Sequence, residues 1–268
     1  MTAPDDVAAI VETLHELAPP ELAETWDNVG LLLGDSARRV ERVMTCLTLS
    51  SDVAEEALQK RAHLIVTHHP VLFRAVKSLT TETVEGRTLL KLLSAQVAVY
   101  SPHTAFDSSA AGINSQLAAA LHLEGVQPLR PTLPASDDGA GGGRFGTLPR
   151  EMALPQFLDH VKLSLNVGRL QFAASGTPAI RTVGVACGSA AEFIADAVRA
   201  GCQALVTGEA RFHACLEARE AGLVLVLAGH YATERPGIEQ LAQTLKTAHP
   251  QLEVFASECE TDPVQWSC

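Results

Sequence analysis

The sequence is poor in aromatic residues, in positive charge and in long apolar runs. Aromatic residues make up 4% of the 268 positions and hydrophobic residues 47%, so a packed core must consist mostly of Ala, Val, Leu and Ile. The net charge is −11, and lysine and arginine form no cluster. This argues against binding that is driven by nucleic-acid phosphates or by an anionic membrane surface. No apolar run approaches the roughly 18 residues that a membrane-spanning helix requires.

Cysteine is present, but no two cysteines form a CxxC pair. The acidic, amphipathic start MTAPDDVAAIVETL does not resemble a secretory signal. We therefore expect reduced thiols and a cytoplasmic protein. The cysteines are Cys46, Cys187, Cys202, Cys215, Cys259 and Cys268.

The first half of the chain alternates between strand and helix patterns. Residues 5–17 space their apolar positions as a helix does, and residues 41–49 read as a strand. Residues 51–61 predict a helix that is capped by Ser51 or Asp52. Further strands are predicted at 63–67 and 97–101. This alternation favours an α/β fold with a largely parallel sheet.

A segment dense in proline and glycine, residues 128–149, follows and predicts a linker or a long loop. A second alternating series lies beyond it. Its predicted strands cover 181–187, 203–210 and 222–230, and its predicted helix covers 190–200.

The two series look related. Residues 43–70 align with 183–210 at an offset near 140, which places Thr67 opposite Thr207. An internal duplication would explain the match, although any two βαβ units share this pattern. We predict two related α/β lobes, 1–127 and 128–268, with functional loops beyond the carboxyl ends of the strands.

Histidines and carboxylates cluster at these strand ends. Asp107 lies four residues after a histidine, and so does Glu234, which would place each pair on one helix face. Imidazole and carboxylate without thiolate suit Zn, Mn, Fe or Ni, and six such groups fit two ions better than one. A histidine after a strand is also commonly a loop or capping residue, so spacing alone leaves a metal site and no site equally open. The four histidines that follow strands are His68, His69, His103 and His230.

Four segments in order resemble the GTP cyclohydrolase 1 type 2 homologue family, also described as Nif-three-like dinuclear metal-centre proteins. The resemblance spans nearly the whole chain. GGGRFGTLP and TGEARFHACLEAREAGL look like second-half blocks of that family. The four segments are ETWDNVGLLLGD, LIVTHHPVLF, VYSPHTAFDSSAAGIN and GHYATERPGIEQLA.

The resemblance implies a two-lobed α/β protein with a dinuclear metal site in the cleft between the lobes, often assembled as a ring-shaped homohexamer. His103 is expected to orient Asp107 or a bound water. His213 is expected to line the cavity, with a surface helix position as the alternative. Both are candidate proton shuttles. The implied ligands of two divalent ions (Zn, Fe, Mn or Ni) are His68, His69, Asp107, His230 and Glu234.

Two segments depart from the family pattern. The strand MTCLTLSS lacks an acidic residue that the family often carries, so the acidic group expected beside the site is either missing or replaced by Ser51 or Asp52. The usual glycine-rich turn is thinned to ACGSAAE. WDNVGLLLGD could be a loop that leads into a strand and places Asp27 or Asn28 near the metal cavity, or a turn that a buried Trp26 anchors. We expect Trp26 to be buried, while the role of Asn28 stays open.

The resemblance implies a metal-dependent hydrolase that acts on a nucleotide, by hydrolytic opening of the guanine ring of GTP. The chain has no GxxxxGK[ST] phosphate loop. A non-enzymatic metal-handling or regulatory protein would need the same ligands, and a purely structural metal is a third possibility. The obvious anion contacts are Arg74, Lys77, Arg211 and Arg235.

Overall fold

The structure is a computed structural model that describes residues 5–132 and 139–267. Contacts divide the chain into two compact units. Unit 1 contains the described residues up to Phe106 and those from Arg235 onward, and unit 2 is Asp107–Glu234. The boundary predicted at 127/128 falls within unit 2. The observed division differs because the C-terminal segment returns to the sheet of unit 1.

The secondary structure of the described residues alternates between helix and strand, as an α/β fold requires. Two 3-10 turns cover Pro20–Leu22 and Ala191–Phe193. The α-helices are α1 Val7–Leu17, α2 Ser51–Gln59, α3 Val84–Ser94, α4 His103–Ser108, α5 Ile113–Ala120, α6 Leu154–Ser164, α7 Ile194–Arg199, α8 Phe212–Glu220 and α9 His230–Ala248. The strands are β1 Gly30–Leu33, β2 Arg42–Cys46, β3 Leu64–Thr67, β4 Ala98–Ser101, β5 Glu124–Gln127, β6 Arg130–Pro131, β7 Gly141–Gly142, β8 Arg144–Ala153, β9 Gln171–Ala173, β10 Ala179–Ala186, β11 Ala204–Thr207, β12 Val224–Leu227 and β13 Glu253–Ala256.

Unit 1 is built on a five-stranded sheet of order β1-β4-β3-β2-β13. The pairs β4-β3, β3-β2 and β2-β13 are parallel, and only the edge strand β1 is antiparallel to its neighbour. Every residue of β3 and β4 is buried, as expected for strands that are covered on both faces. The prediction of a largely parallel sheet is confirmed for this unit.

The helices of unit 1 begin at residues that cap them. Asp6 accepts a hydrogen bond from the Ala9 amide (2.9 Å) at the start of α1, whose buried residues are Val7, Ile10 and Leu14. Ser50, not Ser51 or Asp52, caps α2 by accepting from the Val53 amide at 3.3 Å. The predicted cap was one residue too late because Ser51 already belongs to the first helical turn.

Unit 2 contains a six-stranded sheet of order β5-β8-β10-β11-β12-β9. Its centre, β10-β11-β12, is parallel, and antiparallel strands flank it on both sides. The related pattern of the two halves therefore corresponds to a parallel βαβ core in each unit. The residues aligned by sequence, Thr67 and Thr207, each end a strand of such a core, β3 and β11.

The segment 128–149, predicted as a linker or long loop, contributes strands to unit 2. Arg130–Pro131 pairs with Gly141–Gly142, and the long strand β8 begins at Arg144. Residues 133–138 of this segment lie outside the described residues. The buried Arg144 guanidinium donates to the carbonyls of Gly143 (2.7 Å) and Ser109 (2.7 Å), which ties this segment to the end of α4.

The structure bears on the absence of a membrane-spanning helix and on the state of the cysteines in the described residues. No helix in 5–132 or 139–267 is long and apolar enough to cross a bilayer. The five cysteines in these ranges form no disulfide, and Cys268 lies outside them.

A buried carboxylate holds the C-terminal segment against α2. Glu56 accepts hydrogen bonds from the Ser257 hydroxyl (2.5 Å) and the Glu258 amide (2.9 Å), and Lys60 lies 2.9 Å away. Burial alone raises the pKa of Glu56, but the hydrogen bonds outweigh burial and lower the pKa from 4.5 to about 2. The ionised form of Glu56 therefore stabilises the fold.

We expect Glu56→Gln to lower the free energy of unfolding by about 1–3 kcal/mol at pH 7, because a charged hydrogen-bond acceptor is lost. The folded-state pKa is depressed, so the contribution is complete above about pH 4.5 and disappears as the pH falls towards 2. Urea unfolding at pH 7 and pH 3 measures both effects. Glu55→Gln, on the same helix but half exposed, is the control and should change stability little. Equal losses in the two variants would contradict the assignment.

Candidate metal centre

Three histidines of unit 1 lie together at the ends of β3 and β4. The ligand atoms of His68, His69 and His103 all lie within 4.8 Å of one another. The His68 amide donates to Cys46 O (3.0 Å) and the His69 amide to Leu47 O (2.9 Å), so pairing with the β2 segment continues past the end of β3. The adjacent rings of His68 and His69 have centroids 5.3 Å apart. They therefore belong to one group and do not point to opposite faces of a pleated strand.

His103 begins α4 with a strained backbone. Its φ is +28°, a region that residues with a side chain seldom occupy. Its Nδ1 lies 2.8 Å from Asp27 Oδ1, and the Thr104 amide donates to Asp27 Oδ2 at 3.1 Å. The Asp27 side chain is fully buried. This carboxylate therefore fixes both the ring of His103 and the first turn of α4.

The charge of Asp27 decides the tautomer of His103. Burial raises the pKa of Asp27, but hydrogen bonds from His103, Thr104 and Asn28 outweigh it and lower the pKa to about 2. An ionised carboxylate only accepts, so Nδ1 of His103 carries a proton, and in the neutral ring the lone pair lies on Nε2. Nε2 is thus the nitrogen suited to a metal ion or to a proton in transfer.

His69 is held from the end of β2. The Thr48 hydroxyl lies 2.7 Å from His69 Nδ1. The amides of Leu47 and Thr48 donate to the carboxylate of Glu260 (2.8 and 2.6 Å), which also forms an ion pair with Arg235. The acidic group beside this strand is therefore Glu260 from the C-terminal segment. The expectation of Ser51 or Asp52 was wrong, because both lie in the first turn of α2.

Unit 2 carries a histidine–carboxylate pair at the start of α9. His230 Nε2 lies 3.0 Å from Glu234 Oε2, and His230 Nδ1 lies 3.3 Å from Glu209 Oε1. The hydrogen bond to Glu234 raises the pKa of His230 most, burial opposes it, and Glu209 adds to the increase, so that the pKa reaches about 9. At neutral pH the protonated ring of His230 therefore forms an ion pair with Glu234. The predicted one-face arrangement of this pair is confirmed.

Two glycines make room for this pair. Gly188 follows β10 with a φ of +64°, and a Cβ atom on it would overlap Glu234 Oε1 and lie 3.3 Å from His230 Nε2. Gly208 follows β11, and a Cβ there would lie 2.8 Å from His230 Cα. The sequence shows ACGSAAE as a thinned glycine turn, yet the one glycine that remains stands where a side chain would fill the site.

Asp107 is held by two residues that the sequence analysis did not select. The Cys187 thiol donates to Asp107 Oδ1 at 3.2 Å. Asn114 bridges the same two residues, because it accepts from the Cys187 amide (2.8 Å) and donates to the Asp107 carbonyl (3.0 Å). Burial raises the pKa of Cys187, and the carboxylates of Asp107 and Glu234 raise it further, so the thiol remains a donor. Cys187 directly follows the end of β10, and this position could have marked it as a functional residue in the sequence. No feature of the sequence marks Asn114 in this way.

The donor sets suit a divalent transition metal. Unit 1 offers three imidazoles, and unit 2 offers an imidazole and buried carboxylate oxygens, with no side chain at Gly188 to obstruct them. Nitrogen and oxygen donors of this kind bind Zn, Fe, Mn or Ni. The residues present therefore fit a metal, while the number and identity of the ions stay predictions.

Three further candidates lie in different settings. His213 is exposed in the first turn of α8, with its ring 5.7 Å from that of Phe212. Trp26 was expected to be buried, and this was wrong: 57% of it is exposed, because its neighbour Asp27 is the residue that turns inward. Asn28 donates to the Leu72 carbonyl at 2.8 Å and thus anchors the loop after His69. The catalytic roles of His103 and His213 stay predictions.

We expect Gly188→Ala to weaken metal binding at least tenfold, because the added methyl group displaces Glu234. Titration of the metal-free protein with Co²⁺, followed by calorimetry, measures the affinity. Gly201→Ala is the matched control, since Gly201 also has a positive φ (+73°) but open space around it. Both variants carry the backbone penalty, so equal affinities in the two would contradict the steric explanation.

We expect Cys187→Ala to lower Co²⁺ affinity about tenfold, since a hydrogen bond that orients a ligand carboxylate is lost. Cys187→Ser keeps a donor and should restore most of the affinity. Cys202→Ala removes another buried thiol of unit 2 and serves as the control. A thiolate-to-cobalt charge-transfer band in the wild-type protein would instead make Cys187 a ligand and contradict its role as a donor.

Comparison with known proteins identifies the family. The sequence model of the Duf34/NIF3 (NGG1p interacting factor 3) family matches residues 6–263. A Clostridium perfringens protein named GTP cyclohydrolase 1 type 2 homolog is 31% identical over 96% of this chain and 98% of its own length. NIF3-like protein 1 of Drosophila melanogaster is 32% identical over 96% of this chain and 88% of its own.

Solved structures agree with the sequence matches. A Staphylococcus aureus protein matches at a TM-score of 0.90 and 25% identity, over 99% of this chain and 100% of that one. A Bacillus cereus protein related to NIF3 has the same fold, with a TM-score of 0.89, 22% identity and coverage of 99% and 100%. The resemblance seen in the four sequence segments is thereby confirmed, and the chain belongs to the Duf34/NIF3 family.

Proposed function

We propose that this chain is a divalent-metal-dependent hydrolase that acts on a nucleotide. The group formed by His68, His69 and His103 carries the proposal. Two of its rings are held by their own partners, Thr48 and Asp27, so little side-chain freedom remains to be lost when a ligand binds. Divalent ions bound there would supply Lewis-acid polarisation of a substrate oxygen and a water of lowered pKa.

The proposed ligands are the five that the family resemblance implies. In unit 1 they are His68 and His69, and in unit 2 they are Asp107, His230 and Glu234. Four of the five have an identified hydrogen bond within their own unit: His69 with Thr48, Asp107 with Cys187, and His230 and Glu234 with each other. Two ions per chain would account for this number of ligands.

His103 is the preferred proton-transfer group. Its Nδ1 donates to the ionised Asp27, which stabilises the imidazolium that forms when Nε2 accepts a proton. This paired carboxylate keeps the ring in one tautomer through a cycle of proton gain and loss. His213 is the second candidate, and its exposed position in α8 would suit exchange of protons with solvent.

A nucleotide substrate is favoured by the names of the relatives, since the Clostridium perfringens protein is described as a GTP cyclohydrolase 1 type 2 homolog. Hydrolytic opening of the guanine ring is the reaction that this name suggests. Arg74 and Lys77 are exposed in the loop after His69 and would bind its phosphates. A ring-shaped homohexamer and a cytoplasmic location complete the proposal, and light scattering measures the mass of the assembly.

We expect the purified protein to retain about two divalent ions per chain and to hydrolyse GTP, and we expect His69→Ala to lose metal and turnover together. Elemental analysis measures the metal, and a screen of nucleotides and phosphoesters measures turnover. His68→Ala is the second variant, and circular dichroism checks its folding because His68 is fully buried. His15→Ala removes an exposed histidine of α1 and should change neither quantity.

Other results would replace this proposal with a different one. Metal at trace level in the wild-type protein would contradict the assignment of the metal ligands. Two ions per chain without turnover of any compound would favour a metal-handling or regulatory protein. Unfolding on chelation would favour a structural metal, because a catalytic site leaves a folded protein when its ions are removed.

A further inference from the structure

Two large aromatic side chains of unit 1 are exposed side by side. Trp26 is 57% exposed and Phe73 is 48% exposed. Their ring centroids lie 6.0 Å apart, with an interplanar angle of 69°. An edge-to-face contact leaves part of each ring uncovered, and about half of each residue remains accessible to another aromatic ring. Only 4% of this chain is aromatic. Five described aromatic residues are exposed, and Trp26 and Phe73 are two of them that lie against each other.

The aromatic pair borders the histidine group. The ring of His103 lies 6.2 Å from that of Trp26 and 6.4 Å from that of Phe73, edge-on in both cases. The same ring lies 5.2 Å from His68 and 5.8 Å from His69. A molecule that stacks on either aromatic residue would therefore lie beside the candidate metal ligands.

The segment WDN builds this arrangement with three consecutive side chains. Trp26 forms one wall, Asp27 binds His103, and Asn28 donates to the Leu72 carbonyl at 2.8 Å. Leu72 has a φ of +55°, an unfavourable conformation for a residue with a side chain, and it directly precedes Phe73. The hydrogen bond from Asn28 holds this strained turn and thereby places the Phe73 ring next to Trp26.

The surroundings of the pair suit a small anionic ligand. Arg74 and Lys77 follow Phe73 in the same exposed loop, in a chain whose net charge is −11. A stable protein interface buries about 800 Å² on each partner, which is more than two aromatic side chains offer. The pair by itself is therefore too small for a protein partner. Two exposed rings that are followed in the same loop by two cationic residues match the size and chemistry of one heterocycle that carries phosphate or carboxylate groups.

We propose that Trp26 and Phe73 bind the planar heteroaromatic ring of an anionic ligand by stacking, next to His68, His69 and His103. This deepens the proposed function, on which it rests for the nucleotide as the ligand class. Trp26 supplies the larger stacking face. Phe73 borders this face and contacts the ligand ring from the side. Asn28 is the positioning residue for Phe73.

Trp26 itself reports on the ligand, because the chain contains only two tryptophans. Trp266→Phe leaves Trp26 as the single indole. We expect GTP to quench its fluorescence to saturation after inner-filter correction, with and without added metal. Inorganic tripolyphosphate, which has similar charge and no ring, should not quench it. Phe73→Ala in this background should raise the apparent Kd for GTP about tenfold, as is typical for loss of a base–aromatic stack.

Phe212→Ala is the matched control. Phe212 is 73% exposed and also lies edge-on to a histidine, His213, in unit 2. It should leave the Kd for GTP unchanged. Asn28→Ala should raise the Kd for GTP, as Phe73→Ala does. Asn28→Asp keeps an oxygen but loses the donor to the Leu72 carbonyl, so it should raise the Kd as well.

Three results would overturn the stacking site. The first is that tripolyphosphate quenches the fluorescence as strongly as GTP does. The second is that Phe73→Ala and Phe212→Ala change the Kd for GTP equally. The third is that Phe73→Ala changes the oligomeric mass but not the quenching by GTP, which would make the pair a protein interface. Elemental analysis of the same samples separates this failure from failure of the proposed function. Bound metal without ring binding would refute the stacking site alone, and ring binding without metal would support it while refuting the hydrolase.

Discussion

In both units, parallel pairing brings the carboxyl ends of neighbouring strands to one edge of a sheet. Cys46 lies opposite Thr67 in unit 1, and Ala186, Thr207 and Leu227 form one row in unit 2. The candidate ligands His68, His69 and His230 come within three residues of these ends. Strand register therefore places the functional side chains, and the buried apolar strands behind them supply the rigidity.

Carboxylate partners orient two partly buried imidazoles at these edges. In unit 1, Asp27 is ionised, and hydrogen bonds from His103 and Thr104 stabilise its charge. In unit 2, Glu234 and Glu209 face the two nitrogens of one ring, which consequently holds its proton strongly. The first arrangement orients one ring nitrogen of His103 towards Asp27 and leaves the other for a ligand, and the second surrounds a protonated ring. The two units thus present different electrostatic environments built from the same residue types.

Much of this could be predicted from the sequence, because apolar runs of four to five residues mark buried strands and a proline or glycine marks their ends. The histidines after β3, β4 and β12 follow from that pattern alone. The exposure of Trp26 could not be predicted, since it depends on which of two neighbours turns inward. Nor could the roles of Cys187, Asn114 and Glu260, because each depends on a contact with a residue at least 70 positions away. Local periodicity carries no information about such pairings.

The return of the C-terminal segment has a consequence for synthesis on the ribosome. Unit 2 is continuous in the chain, so all of its strands have been made before β13 is translated. The sheet of unit 1 must wait for β13, and until then the β2 edge, which is buried in the finished protein, offers unpaired amides and carbonyls. A chain that stops after residue 234 would keep every strand of unit 2 and leave unit 1 with an open edge suited to aggregation. The nascent chain thus passes through a stage in which unit 2 can be complete while unit 1 cannot.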